Sequence, residues 1–117
     1  MNRTALSLIA KFLLTFALAA AAFYGMERDP WNLIAAVALA ATVANYAIGD
    51  LLVLPTMGNS FACMVDGAMA SLLAWAVSFF VPAFRTGFAS LAMFAFLIAT
   101  AEFFFHIYLL RNKEVAP

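Results

Sequence analysis

Charge is scarce in this sequence. Only 10% of its 117 residues are Asp, Glu, Lys or Arg, six of each sign, so the formal net charge is zero. A basic footprint is therefore missing, and no nucleic-acid partner is expected. Cysteine occurs once, at Cys63, which excludes an internal disulfide and a cysteine-rich metal site. Cys63 reads as a small apolar helix residue. Four prolines and five glycines leave few places where the chain can break. There is no His-Glu-x-x-His, no Gly-x-Ser-x-Gly and no phosphate-cradling glycine loop. The chain is accordingly expected to be no enzyme and to carry no cofactor.

Apolar residues are present in excess. They make up 68% of the chain, and the mean hydropathy is +1.03. Soluble domains are roughly half apolar and about a quarter charged. A chain this small cannot bury so much apolar surface within itself. The solvent that suits it is a lipid bilayer.

Four apolar runs are each long enough to cross a bilayer as a helix. The first covers about residues 4–24, with Thr4, Ser7, Lys11 and Thr15 forming one polar stripe at helical spacing. Arg3 and Lys11, the apolar centre and then Ala17-Leu18-Ala19, the pattern of a cleavage site, also imitate a secretory signal. The run continues past Ala22, as a span does. Glu27-Arg28-Asp29-Pro30 interrupts it. Pro30 suits the start of a helix, and Trp31 suits the membrane interface.

The second span is expected over 31–54. Thr42, Asn45, Tyr46, Gly49 and Asp50 share a face there, and Ala38 is placed toward lipid. Pro55 is expected to end it, Gly58 to make the turn, and Asn59 or Ser60 to cap the next helix. The third span covers 60–81, with Cys63, Asp66, Gly67, Ala70, Ala74 and Ser78 on one face. Small residues such as Gly67 let a neighbouring helix approach closely. The fourth covers 87–110, with Ala95, Ala99, Glu102 and His106 on one face and the polar tail Arg111 to Glu114 behind it.

The predicted fold is thus all-α: one membrane domain over 1–117, four transmembrane helices in antiparallel up-down order. Arg3, Lys11, Arg111 and Lys113 flank one side and Arg28 and Arg85 the other, so the positive-inside rule places both termini in the cytoplasm.

That topology brings every ionisable group within the spans to one end. Asp50 lies about five residues before the turn and Asp66 about seven past it, so about 7 and 10 Å deep at the helical rise. Lys11, Glu102 and His106 approach the same surface. A polar cluster of Lys11, Asn45, Tyr46, Asp50, Asp66, Glu102 and His106 is expected, supported by Gly49, Pro55, Gly58, Asn59 and Gly67. Carboxylates outnumber cations in it, so either one carboxyl holds its proton or water or a cation enters. Lys11 is expected to pair with Asp50 or Asp66, leaving Glu102 as the neutral carboxyl. Glu102 and His106, four residues apart, can face one ion with Asp50 or Asp66 completing the set. A single Glu-x-x-x-His specifies no metal site, and none is assigned.

The ordered set Asn45-Tyr46-x-Ile48-Gly49-Asp50-Leu51-x-x-Leu54-Pro55-x-x-Gly58-Asn59, followed by Asp66, resembles the signature of the YndM-like proteins of Bacillus and related bacteria. The resemblance implies a small four-helix protein of the bacterial cytoplasmic membrane and supplies no activity. It covers spans two and three; the other spans match in length and hydropathy, and this chain is richer in Ala and Phe. Small multidrug exporters have a similar length but depend on a glutamate in the first span, where this chain has Lys11. The expected role is non-enzymatic, with the cluster organising the bundle or docking a membrane partner or a second copy. The other reading is a subunit of a small proton- or cation-coupled transporter. A dry, paired cluster favours the first and a water-filled opening the second.

Overall fold

The computed structural model of the protein describes residues 3–112, and Arg3, Leu109, Leu110 and Asn112 as backbone only. Lys113 and Glu114 of the expected polar tail lie outside the described residues. Among those described there is no strand, and four helices are long and apolar enough to span a membrane. They are α1 (Thr4–Glu27), α2 (Trp31–Met57), α3 (Asn59–Phe80) and α4 (Phe88–Asn112). The protein is an all-α, multi-pass membrane bundle.

Helix α1 ends where Arg28 takes a left-handed conformation (φ 56°). The amide of Asp29 then reaches back to the Phe23 carbonyl (3.1 Å), and that of Arg28 to Tyr24 (3.1 Å). These bonds satisfy carbonyls that a helix end leaves without partners. The Arg28 guanidinium lies over the Tyr24 ring, 4.9 Å from its centre.

Helix α2 changes winding midway. Residues Asn45–Val53 form a π-helix, whose i→i+5 bonds put more residues into each turn. Each residue therefore advances by a smaller angle than the 100° of an α-helix. The change re-aims the motif: Asn45, Gly49 and Asp50 are buried together, while Tyr46 stays half-buried.

Pro55 does not end α2, contrary to the sequence expectation. The helix continues to Met57. A proline ring normally collides with the carbonyl four residues back. The wide turn before Pro55, in which the Leu54 amide bonds the Gly49 carbonyl, makes room for it. Thr56 Oγ1 then donates to the Leu52 carbonyl at 2.7 Å. Gly58 makes the turn at φ 87°, a conformation that L side chains rarely adopt.

Neither Asn59 nor Ser60 caps α3. Gly58 holds the capping position without a side-chain bond, because the Asn59 amide is used across the bundle, on α4.

Lipid is as apolar as a leucine side chain, so close packing rather than hydrophobic burial joins these helices. A methyl group added at Gly67 would sit 2.5 Å from the Ala95 carbonyl oxygen and 3.2 Å from the Ala99 Cβ. Only a bare backbone lets α3 and α4 approach so closely. Ala38 does not face lipid as expected; it is fully buried. It lies one turn before Thr42, whose hydroxyl bonds the Ala38 carbonyl at 2.7 Å. The small face of α2 thus runs a turn further than its polar residues. The core is divided along the bundle. Phe23 packs on Phe84 and Phe94, with ring centres 5.1 and 5.0 Å apart, at one end. The ionisable groups occupy the other.

Candidate functional site: a buried charge cluster

Each helix contributes to the site through its small or polar face. Ser7, Lys11, Thr15 and Ala19 recur every four residues on α1, and all are buried. The π-winding of α2 turns Asp50 inward. Asp66 comes from α3 beside Gly67, and Glu102 and His106 from successive turns of α4. Lys11, Asp50, Asp66, Glu102 and His106 are 0 to 3% exposed.

Their contacts form an alternating row. Lys11 Nζ lies 3.0 Å from Glu102 Oε1 and 2.5 Å from Asp50 Oδ2. Asp50 Oδ1 lies 2.9 Å from His106 Nε2, and that nitrogen is 3.0 Å from Asp66 Oδ2. The order is Glu102, Lys11, Asp50, His106, Asp66, with carboxylates at both ends and in the middle. Asp50 is the best served, with one nitrogen on each oxygen. Asp66 is the worst served: its Oδ2 lies off the N–H direction of His106, and neither oxygen makes a hydrogen bond. Glu102 Oε1 also makes none, although Lys11 and, at 3.5 Å, His106 are close.

Lys11 pairs with Asp50, one of the two partners expected for it, and also with Glu102, which was not expected. Glu102 therefore is not the carboxyl set apart from the lysine. Through Lys11, α1 meets both α2 and α4 at this depth, which spacing within single helices could not reveal.

Hydrogen-bond roles constrain one ring nitrogen of His106. Asn59 Nδ2 donates to the Phe103 carbonyl at 3.0 Å, which turns Asn59 Oδ1 toward His106 Nδ1 at 2.9 Å. An oxygen that can only accept requires Nδ1 to carry hydrogen. Nε2 faces the carboxylate oxygens of Asp50 and Asp66. Where those carboxyls are ionised, both ring nitrogens face acceptors, the arrangement of an imidazolium. With Lys11⁺ and His106⁺ against three carboxylates, one negative charge is left over in a dry interior.

Asn45 is buried nearby on α2, and neither of its amide atoms has a hydrogen-bond partner among the described residues. Tyr46 makes none of these contacts. Gly49 is where α3 meets the motif: a Cβ there would collide with the Asp66 carboxylate. Phe105 was not singled out from the sequence. Its ring centre lies 5.4 Å from Lys11 Nζ, a favourable position for a cation. Phe105 also lines a groove of about 450 Å³ with Leu6, Ser7, Ala10 and Tyr108, which none of the five charged residues lines.

A second polar set, also missed, clasps the opposite end. The Arg85 amide donates to Asp29 Oδ1 (2.7 Å), and Arg85 Nη2 to the Glu27 carbonyl (2.5 Å). Ser90 Oγ donates to Glu27 Oε2 at 2.8 Å. Burial pushes the Asp29 carboxyl above its ordinary range, Glu27 adds to this, and the Arg85 amide opposes it. The only signal in the sequence was that both loops carry charges of opposite sign.

A family model described as "Protein of unknown function (DUF2512)" matches residues 2–116, nearly the whole chain. No curated protein and no solved structure matches it significantly.

Proposed function

The chain belongs to the DUF2512 family, and from that premise we propose that it is a non-enzymatic, YndM-like protein of a bacterial cytoplasmic membrane. Its buried charge cluster holds four up-down spans in one register, with both termini in the cytoplasm. A membrane partner or a second copy would meet the outer faces of this fixed bundle.

The observation that carries this reading is the alternating row. One residue of α1, one of α2, one of α3 and two of α4 meet within hydrogen-bond and ion-pair distance, almost free of exposure. A charge in lipid is expensive unless paired. Sliding any helix by one turn, about 5.4 Å, would strip a charge of its partner. The row therefore favours one register over its neighbours. The up-down order is supported by the early position of Lys11 in α1 and the late position of Asp50 in α2. Depth alternates in the same way for Asp66 in α3 and Glu102 in α4.

The competing reading, a subunit of a proton- or cation-coupled transporter, draws on the uncompensated carboxylates. Proteoliposomes separate the two. Under an imposed proton or sodium gradient, the organising role expects no flux above empty vesicles, and unfolding when Asp50 alone is neutralised. Flux that Asp50→Asn abolishes while the protein stays folded would overturn it.

A further inference from the structure

We propose that the cluster is a proton-binding site: it takes up one proton beyond those of Lys11 and His106, carried by Glu102 or Asp66, the two ends of the row. The inference rests on the same cluster as the proposed function and adds a ligand to it.

The charges of the row do not balance. The groups facing one another from all four helices are Lys11 on α1, Asp50 on α2, Asp66 on α3, and Glu102 and His106 on α4. Asn45, Asn59 and Cys63, one turn before Asp66, are the neutral polar neighbours. With Lys11 charged, Nδ1 of His106 carrying hydrogen toward Asn59 and one proton shared between Nε2 and the carboxyls it faces, the five groups carry a net charge of −1, so the surplus is one carboxylate. That charge has little water to solvate it, since all five side chains are nearly fully buried. An uncompensated charge in such a place neutralises itself by taking a proton.

The surplus lies at the ends of the row. Asp50 has a nitrogen on each oxygen. The unpartnered atoms are both oxygens of Asp66 and Oε1 of Glu102, each on a buried side chain directed into the cluster. Ligand atoms of Asp50, Asp66, Glu102 and His106 lie within 4.8 Å of one another, so a positive charge at either end is felt by all. Binding turns one carboxylate into a carboxylic acid and breaks no bond. A divalent metal fits the row less well. The Lys11 ammonium already stands between Glu102 and Asp50, and the His106 nitrogen that would ligate a metal carries hydrogen toward Asp50.

The test is infrared spectroscopy of the protein in lipid nanodiscs at pH 7, where carboxyls in water are ionised. The Asp29→Asn background removes the buried carboxyl at the opposite end of the bundle. The expected result is a carboxylic-acid C=O band that shifts in D₂O. Labelling with ¹³C-Glu or ¹³C-Asp assigns it without altering the fold. A band that moves with the Glu label and vanishes in Glu102→Gln, or moves with the Asp label and vanishes in Asp66→Asn, supports the proposal. No band at pH 7 overturns it, as does an Asp-labelled band that survives Asp66→Asn. A stoichiometric divalent metal in the purified protein overturns it too. Loss of the band with Lys11–Asp50 coupling intact would remove the proton and leave the organising role standing.

Discussion

Replacing Lys11 with Met tests the row at the cation that joins two of its carboxylates. Met keeps the length and apolar stem of lysine and removes only the ammonium. Two carboxylates lose their nearest cation: Asp50 Oδ2, at 2.5 Å, and Glu102 Oε1, at 3.0 Å. Removing one partner from a buried pair commonly costs about 3–5 kcal/mol, whereas removing both costs far less. For a chain of this size that loss corresponds to a fall in melting temperature on the order of ten degrees or more. Second substitutions then report the wiring. Glu102→Gln in the Lys11→Met background should recover much of the loss where Asp66 carries the extra proton, and little where Glu102 does, because a neutral carboxyl does not miss the ammonium 3.0 Å away. Asp50→Asn should recover less, since it also strips His106 of its closest acceptor. Asp66→Asn should recover little, as Asp66 lies on the far side of His106. The assay is a double-mutant cycle on melting temperature in detergent, which isolates pairwise coupling. If Lys11→Met is silent and uncoupled to Asp50 and Glu102 alike, the lysine snorkels to the interface and the row does not exist.

Three other outcomes are expected. Gly67→Leu would drive a side chain into the Ala95 carbonyl and Gly49→Leu into the Asp66 carboxylate; overpacking costs about 1–3 kcal/mol or more. Both should lower yield and melting temperature well below Ala40→Leu on the exposed face of α2, and equal tolerance would refute the close approach. At the other end, a carboxyl held above its ordinary value of 3.8 binds its proton more tightly folded than unfolded. Its contribution is full below 3.8 and is lost as pH rises through the raised value. Asp29→Asn should flatten that decline in a stability–pH profile, and an unchanged slope would assign it to other groups. A reporter fused after Pro117 should read cytoplasmic; a periplasmic reading would break the shared depth of the cluster.

Much of this arrangement was legible because a bilayer narrows the choices. Apolar runs of span length, broken at Glu27–Pro30, Gly58 and Pro82, yield the helices. Counting residues from the turn at Gly58 places Asp50 and Asp66 at one depth. Three features were not legible. The π-winding of Asn45–Val53 changes which residues of the motif face inward, and no residue type announces it. It also explains why Pro55 ends nothing. The pairing of Lys11 with Glu102 depends on α1 lying against α4, a choice made by packing between helices far apart in sequence. Asn59 looked like a helix cap because its type favours that role. It instead orients His106, because α4 brings an acceptor and a ring nitrogen within reach.

Lys11 sits among carboxylates inside the bundle, and a distance measured in the membrane can show it there. With Lys113→Arg, Lys11 is the sole lysine. Solid-state NMR on lipid-embedded protein carrying ¹⁵N-lysine and ¹³C-carboxyl aspartate then reads the separation of Nζ from the nearest aspartate. The row requires strong dipolar dephasing, at ion-pair range of about 4 Å, lost on Asp50→Asn and kept on Asp66→Asn. A lysine nitrogen that shows no aspartate carbon at that range would contradict the account.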